Sequence, residues 1–316
     1  MLKLIKFSPF LWILISILFS NQISAQMSHK LSKIQLGSYE FDVRISGDAK
    51  GEPVILLHGW PESSHLWIPL MDSLSAKGYY CIAPDMRGFS SGARPKGKKN
   101  YSVQHITRDV IMLADSFGFK KFHLIGHDWG AAVGWAVAAL HPERLQSWTA
   151  MSVPHIKAFG EAINKDKDQH KRTAYMRLFQ LSMLPESYLK AKKMKRMKER
   201  LWNLSDPEQL AVYVELFGAK GALTATLNYY RANYKPMVKG FKNFPEINSI
   251  NVPTLMIWGK DDEAINRVGV DGTAAYVKKE YKLVVLDAGH WLVQEAFKEV
   301  EEAVLAQLKA YKLDMD

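Results

Sequence analysis

Asp128 occupies the central position of a Gly-x-Asp-x-Gly turn, where most such turns carry a serine. In Leu124-Ile125-Gly126-His127-Asp128-Trp129-Gly130, a short apolar run turns through small residues into the apolar stretch Ala131–Leu140. A Gly-x-nucleophile-x-Gly turn between a strand and a helix lifts one side chain onto a sharp, exposed corner, and its glycines let neighbouring backbone pass close. A carboxylate on that corner is already ionised at neutral pH, because an ordinary aspartate titrates near about 3.9. It needs no base to attack carbon, but its product is an ester that must then be hydrolysed. A histidine held by an acid suits that second step, since it can take a proton from water. His290 lies in Asp287-Ala288-Gly289-His290-Trp291, just past the last strand-like run, and Trp258-Gly259-Lys260-Asp261-Asp262 offers two adjacent carboxylates one strand earlier. Ser152-Val153-Pro154-His155, after the strand before that, holds no competing acid. The chain order is nucleophile, acid, histidine. Trp60, after His58-Gly59, and Trp129, after the nucleophile, are placed to offer backbone N–H groups to an oxyanion forming on Asp128 itself.

These residues need strand ends to converge. Val54-Ile55-Leu56-Leu57 is a continuous apolar run, as expected of a strand buried on both faces, and it ends in His58-Gly59-Trp60-Pro61-Glu62. Lys30 to Ile45 reads as two short strands around Gly37-Ser38. Leu66–Leu74 is helical in pattern, Tyr79–Ala83 a strand leading to Asp85-Met86-Arg87-Gly88, and Ser102 the cap of a helix with Ile106, Val110, Leu113 and Phe117 on its apolar face. After the elbow comes a strand near Ser147–Ser152. The rhythm resumes with strand Pro253–Trp258, helix Val268–Lys278, strand Tyr281–Leu286 and a closing helix Trp291–Leu313. Strands alternating with helices imply an α/β fold with a mostly parallel sheet covered on both faces, and ligands of such sheets bind beyond the strands' carboxyl ends. Between Pro154 and about Val252 the pattern is helical, without buried-strand runs.

Composition is that of a globular chain: 316 residues, 47% hydrophobic and 23% charged, with a formal net charge of +10. Much of the basic excess sits in Lys190–Arg200, which holds seven basic residues and one acid. It reads as a solvated helix face with Met194, Met197 and Leu201 turned inward; the competing functional reading is weak contact with an anionic surface. Without interleaved aromatics or a nucleic-acid motif, DNA or RNA binding is not expected. The single cysteine, Cys81, precludes an intramolecular disulfide and reads as a small buried hydrophobe. Residues 1–25 have the pattern of a cleaved signal peptide: Lys3 and Lys6, an apolar core from Phe10 to Phe19, and Ile23-Ser24-Ala25 before Gln26. Export to the periplasm or the medium is the expectation. The remainder divides into a core of residues 26–153 and 252–316, interrupted by a helical cap at 154–251.

The set His58-Gly59-Trp60-Pro61-Glu62, Asp85-Met86-Arg87-Gly88, Gly126-His127-Asp128-Trp129-Gly130, Val153-Pro154-His155 and Gly289-His290-Trp291 resembles the epoxide hydrolases of the α/β-hydrolase superfamily, over nearly the whole mature chain. The resemblance implies the α/β-hydrolase fold with an inserted helical cap, no metal and no cofactor. It places the triad acid three residues after Gly259, which selects Asp262 over Asp261. It also implies two cap tyrosines that assist ring opening. Tyr175-Met176-Arg177-Leu178-Phe179-Gln180 is similar to the family's first tyrosine motif and Leu227-Asn228-Tyr229-Tyr230-Arg231 to its second, pointing to Tyr175 and Tyr230. The implied reaction turns an epoxide and water into a vicinal diol through an ester on Asp128.

Haloalkane dehalogenases share the aspartate elbow and its following tryptophan, and they are the alternative enzyme reading. They often carry Asn after the His-Gly, where Trp60 stands here. A reading of another class is an exported effector that keeps the fold and works by binding a partner. His58, Pro61, His127 and His155 are expected to shape loops, Arg87 to hold the Asp85 loop, and the ring of Trp129 to line the pocket.

Overall fold

The structure, a computed structural model, describes residues 31–313. The expected signal segment, residues 1–25, lies outside them. Eight strands form one sheet in the order β1-β2-β4-β3-β5-β6-β7-β8. In chain order the elements are β1 (Leu31–Leu36), β2 (Tyr39–Ser46), β3 (Glu52–Leu57), α1 (Ile68–Ser75), β4 (Tyr79–Pro84), α2 (Val103–Ser116), β5 (Phe122–His127), α3 (Trp129–Leu140) and β6 (Leu145–Met151). The cap follows as α4 (Ile156–Lys165), α5 (Lys167–Arg172), α6 (Ala174–Leu178), α7 (Leu184–Arg200), α8 (Pro207–Gly218) and α9 (Ala222–Val238). The chain then re-enters the sheet with β7 (Thr254–Gly259), α10 (Arg267–Gly272), β8 (Tyr281–Leu286), α11 (Leu292–Glu295) and α12 (Phe297–Ala310).

β2 runs antiparallel to β1 and to β4, while β4, β3, β5, β6, β7 and β8 pair in parallel. The central strands β3, β5 and β7 are buried at every position, which is why β3 and β7 carry the continuous apolar runs Val54–Leu57 and Leu255–Trp258, while β5 buries His123 against Ser147 and Glu52. Edge strand β1 instead alternates exposed and half-buried residues and carries Lys33, paired with Asp42 at 2.6 Å. Because the strands from β3 to β8 are parallel, the loops after β3, β5, β6, β7 and β8 emerge along one edge of the sheet. That geometry gathers residues more than 200 positions apart in the chain.

Several elements match the expected spans, among them the β1–β2 hairpin and the Ser102 cap, whose hydroxyl accepts from the N–H of His105. Three helices differ. The helix expected over Val268–Lys278 ends at Gly272 and continues as a 3-10 turn over Thr273–Tyr276. There Thr273 is buried, with its hydroxyl accepting from His155 N–H at 3.1 Å. The closing helix breaks at Ala296 (φ −142°), because Glu295 folds back to accept from the N–H groups of Gly289 (2.6 Å) and Trp291 (3.0 Å). In α7, Ala191 is extended and Lys192, Lys193 and Met194 take left-handed φ values of 51°, 54° and 61°. Met194 and Met197 are buried as expected, but a break rather than a regular helical face brings them inward.

Candidate active site

The elbow is a tight piece of backbone. Asp128 has φ 51° and ψ −116°, a conformation that costs a non-glycine residue about 1–3 kcal/mol and persists only where its surroundings fix it. They do so by close approach: a Cβ on Gly130 would lie 2.0 Å from the carbonyl oxygen of Leu57, and one on Gly59 would lie 2.4 Å from Cβ of Asp128. Both positions exclude any side chain, so β3 and β5 can bring Trp60 and Asp128 together. The N–H of Trp60 donates to Oδ1 of Asp128 at 2.7 Å. Trp129 is the first residue of α3, so its N–H is among the amides that a helix leaves without an internal partner. The helix's positive end therefore lies next to Asp128, whose side chain makes no hydrogen bond to the helix amides in the resting site.

His290, after β8, stands between two carboxylates. Its Nδ1 lies 2.9 Å from Oδ2 of Asp262, and its Nε2 lies 3.6 Å from Oδ2 of Asp128. Burial alone would lower its pKa, but the charge of Asp262 and the contact with Asp128 push it well above the ordinary histidine value. Burial likewise pushes the Asp262 carboxyl up, yet the charge of His290 and the bonds from His290, Ser152 and the N–H of Ile265 outweigh it and hold the group below its usual range. Both carboxylates thus favour the imidazolium form of His290 in the resting site. Of the adjacent acids after β7, Asp262 faces His290, while Asp261 is exposed beside Lys260.

Tyr175 on α6 and Tyr230 on α9 descend from the cap onto this group. Their ring centroids are 5.9 Å apart, and that of Tyr230 lies 5.0 Å from Trp129 and 5.6 Å from Trp60, edge to face. Burial raises both phenol pKa values, with the Asp128 charge adding to the effect, so both hydroxyls remain protonated donors at neutral pH. A cavity of about 350 Å³ is lined by Trp60, Asp128, Tyr175, Tyr230 and His290, among others, and is mostly apolar. All seven residues singled out in the sequence thus lie in one cluster. Among the described residues no group of three or more His, Cys, Asp or Glu side chains could hold a metal ion.

Three further residues support the site in ways the sequence does not show. Ser152, at φ 65°, donates its hydroxyl to Oδ2 of Asp262 at 2.6 Å and lies 2.8 Å from Nδ1 of His290. It follows β6 directly, at a strand end where a serine carries no spacing signal of its own. Glu62 and His127 form a second buried pair: Nδ1 of His127 is 3.1 Å from Oε2 of Glu62, and its Nε2 is 2.9 Å from the carbonyl oxygen of His290. Gln294 donates to the other oxygen of Glu62 at 2.8 Å. No sequence spacing reveals a pairing 65 residues apart. The remaining motif histidines are held in the framework. His58 accepts from Met86 N–H at 3.0 Å, leaving Nδ1 to donate to Gly59 O at 2.8 Å. His155 stacks on Tyr276 with centroids 4.2 Å apart, and burial pushes its pKa down to about 3. Arg87 anchors its loop through Asp109 on α2, at 2.6 Å, whereas Asp85 itself accepts from Ser64 N–H at 2.7 Å.

Residues 52–297 match the model of the alpha/beta hydrolase fold family. The chain is 30% identical over 298 residues to Epoxide hydrolase 3 of Xenopus tropicalis, covering 90% of this chain and 79% of that protein. It is 32% identical over 273 residues to the AB hydrolase superfamily protein YfhM of Bacillus subtilis, covering 84% of this chain and 93% of that one. Among solved structures, an epoxide hydrolase of Bacillus megaterium in complex with an inhibitor superposes with a TM-score of 0.80 at 24% identity, over 88% of this chain and 100% of that chain; at that identity the likeness speaks for the fold.

Proposed function

The chain belongs to the α/β-hydrolase fold family, among its epoxide hydrolases, and from that membership we propose that it converts an epoxide and water into a vicinal diol through a covalent ester on Asp128. The observation that carries this reading is one cavity lined by the elbow carboxylate, two tyrosines and His290, with Asp262 held against the histidine from behind. An epoxide carbon is attacked by Oδ2 of Asp128 while the hydroxyls of Tyr175 and Tyr230 receive the ring oxygen. That oxygen departs as an alkoxide, which a phenol can protonate even with its pKa raised. The carbon–oxygen bond breaks as the ester bond forms, and the phenol proton passes to the departing oxygen.

Alkylation removes the charge of Asp128, one of the two anions that keep His290 protonated. Its pKa falls, the surplus proton restores the phenol, and Nε2 becomes a base. His290, oriented by Asp262 and Ser152, then takes a proton from water, whose oxygen adds to the ester carbonyl. The oxyanion on the Asp128 oxygen is met by the N–H of Trp60, with that of Trp129 as the second donor. Collapse releases the diol as His290 returns its proton to the leaving oxygen, and the proton left on the Asp128 carboxyl passes to Nε2, restoring the starting imidazolium and carboxylate.

Terminal, aryl and fatty-acid epoxides, run beside haloalkanes, test the reaction class: diol should form from one or more epoxides, and halide release without diol would overturn the reading. Tyr230→Phe is expected to slow ester formation about 100-fold, and adding Tyr175→Phe to bring the loss to about 1,000-fold or more. Stopped-flow quenching of the tryptophans around the site would follow that step, and indifference to both substitutions would remove the tyrosines from the mechanism. Export is proposed on the N-terminal pattern alone; the mass of the chain recovered outside the cytoplasm should correspond to a start at Gln26.

A further inference from the structure

Six of the nine large hydrophobic side chains exposed among the described residues fall within residues 178–204 of the cap: Leu178, Leu181, Met183, Leu184, Tyr188 and Leu204. Met183 is 74% exposed and Leu184 63%. Exposed hydrophobes scattered singly over a surface are ordinary, and six in one segment of the cap are not so scattered. The same stretch carries Lys190, Lys192, Lys193, Lys195, Arg196, Lys198 and Arg200 against only Glu186 and Glu199. Glu186 is already engaged by Arg231 at 2.8 Å, and Glu199 faces Lys195 at 3.5 Å. The break in α7 leaves Lys192 and Lys193 exposed while Met194 and Met197 pack inward. Leu178, Tyr188, Arg196 and Arg200 also line the cavity that reaches Asp128, so part of this segment borders the cavity while Met183, Leu184 and the lysines lie outside it.

We propose that this face of the cap docks on an anionic lipid surface, with the cavity entrance turned toward the bilayer. Charge complementarity selects the occupant. Exposed apolar tips beside a dense positive charge suit the boundary between headgroups and acyl chains, where the tips leave water and the cations meet phosphate. A purely aqueous polyanion would use the lysines and leave Met183 and Leu184 without a role. Entry of a lipid-dissolved epoxide from this side rests in addition on the reaction proposed above; docking does not.

The test is co-sedimentation of the chain lacking residues 1–25, the expected mature form, with phosphatidylcholine vesicles, with and without phosphatidylglycerol, at low and high salt. Binding is expected only with phosphatidylglycerol and should weaken as salt rises. Each lysine near such a surface is worth about fivefold in partitioning, so K192E/K193E/K195E should lower it by about 100-fold or more. M183S/L184S should lower it by about tenfold or more at every salt concentration. None of these five residues lines the cavity, so both variants should turn over a water-soluble epoxide at the unaltered rate, which also reports an intact fold. Failure of the unaltered protein to bind anionic vesicles would overturn the proposal. So would equally tight binding of heparin that ignores M183S/L184S, which would identify a soluble polyanion. Concentration-dependent dimerisation lost in M183S/L184S without vesicle binding would instead identify a second copy of the chain. Vesicle binding without turnover of any epoxide would sink the reaction and leave the docking surface standing.

Discussion

Asp128→Ala is expected to reduce diol formation to background while the protein stays folded. Oδ1 of this carboxylate accepts from Trp60 N–H, and Oδ2 faces His290, so the substitution removes the attacking atom and leaves the elbow glycines and their close contacts untouched. Deleting a covalent nucleophile costs on the order of 10⁵–10⁶ in turnover in enzymes where the residues act as a unit. The tyrosines cannot substitute, because each is a proton donor with its pKa raised. The checks are chromatographic measurement of diol beside a denaturation midpoint close to that of the unaltered protein. Vesicle binding should survive this change, which separates the chemistry from the docking surface. Substantial residual diol from a folded variant would mean that water attacks the epoxide directly.

His290→Gln is expected to form the ester and then stall. The alkylating step needs Asp128 and the tyrosines, whereas hydrolysis needs a base at Nε2. One equivalent of epoxide should be consumed rapidly, an adduct of enzyme plus epoxide mass should accumulate, and steady-state turnover should fall by about 10³–10⁴. The pH dependence has a definite sign. In the free enzyme His290 is held protonated by Asp262 and Asp128. Alkylation removes one of those charges, so ester hydrolysis in the unaltered enzyme should rise with pH to a plateau. Its inflection should lie below the pH at which His290 titrates in the free enzyme, as followed by NMR. Stability carries the same information. A raised folded-state pKa contributes fully below the ordinary histidine value of about 6.5 and is lost as pH climbs through the folded value. The stability advantage of the unaltered protein over His290→Gln should therefore shrink at strongly alkaline pH. Failure to trap an adduct would detach His290 from the second step.

The sheet was legible because β3 and β7 are buried on both faces and carry unbroken apolar runs, Val54–Leu57 and Leu255–Trp258, whereas β5, which buries His123, was legible from its place before the elbow. The elbow was legible because close approach at Gly130 and Gly59 tolerates no side chain, which fixes glycine at those positions. The adjacent carboxylates after β7 were not separable from local pattern alone. Choosing Asp262 took the spacing of related chains, and the structure gives the physical reason, since Asp262 accepts from Ala264 and Ile265 N–H with one oxygen and faces His290 with the other. Ser152 and the Glu62–His127 pair stayed hidden because their partners are brought together by the sheet edge and by no periodicity in the chain. The breaks at Ala296 and at Ala191–Met194 were missed for a related reason. Each keeps a helix-compatible composition, and tertiary contacts or a backbone reversal override it.

The most direct test of the ester on Asp128 is a single turnover in water enriched in heavy oxygen, with enzyme in excess over epoxide. The ester route places solvent oxygen in the Asp128 carboxylate, so the first diol should be unlabelled and a peptide containing Asp128 should gain the label. Label appearing directly in that first diol, with the Asp128 peptide unlabelled, would contradict it.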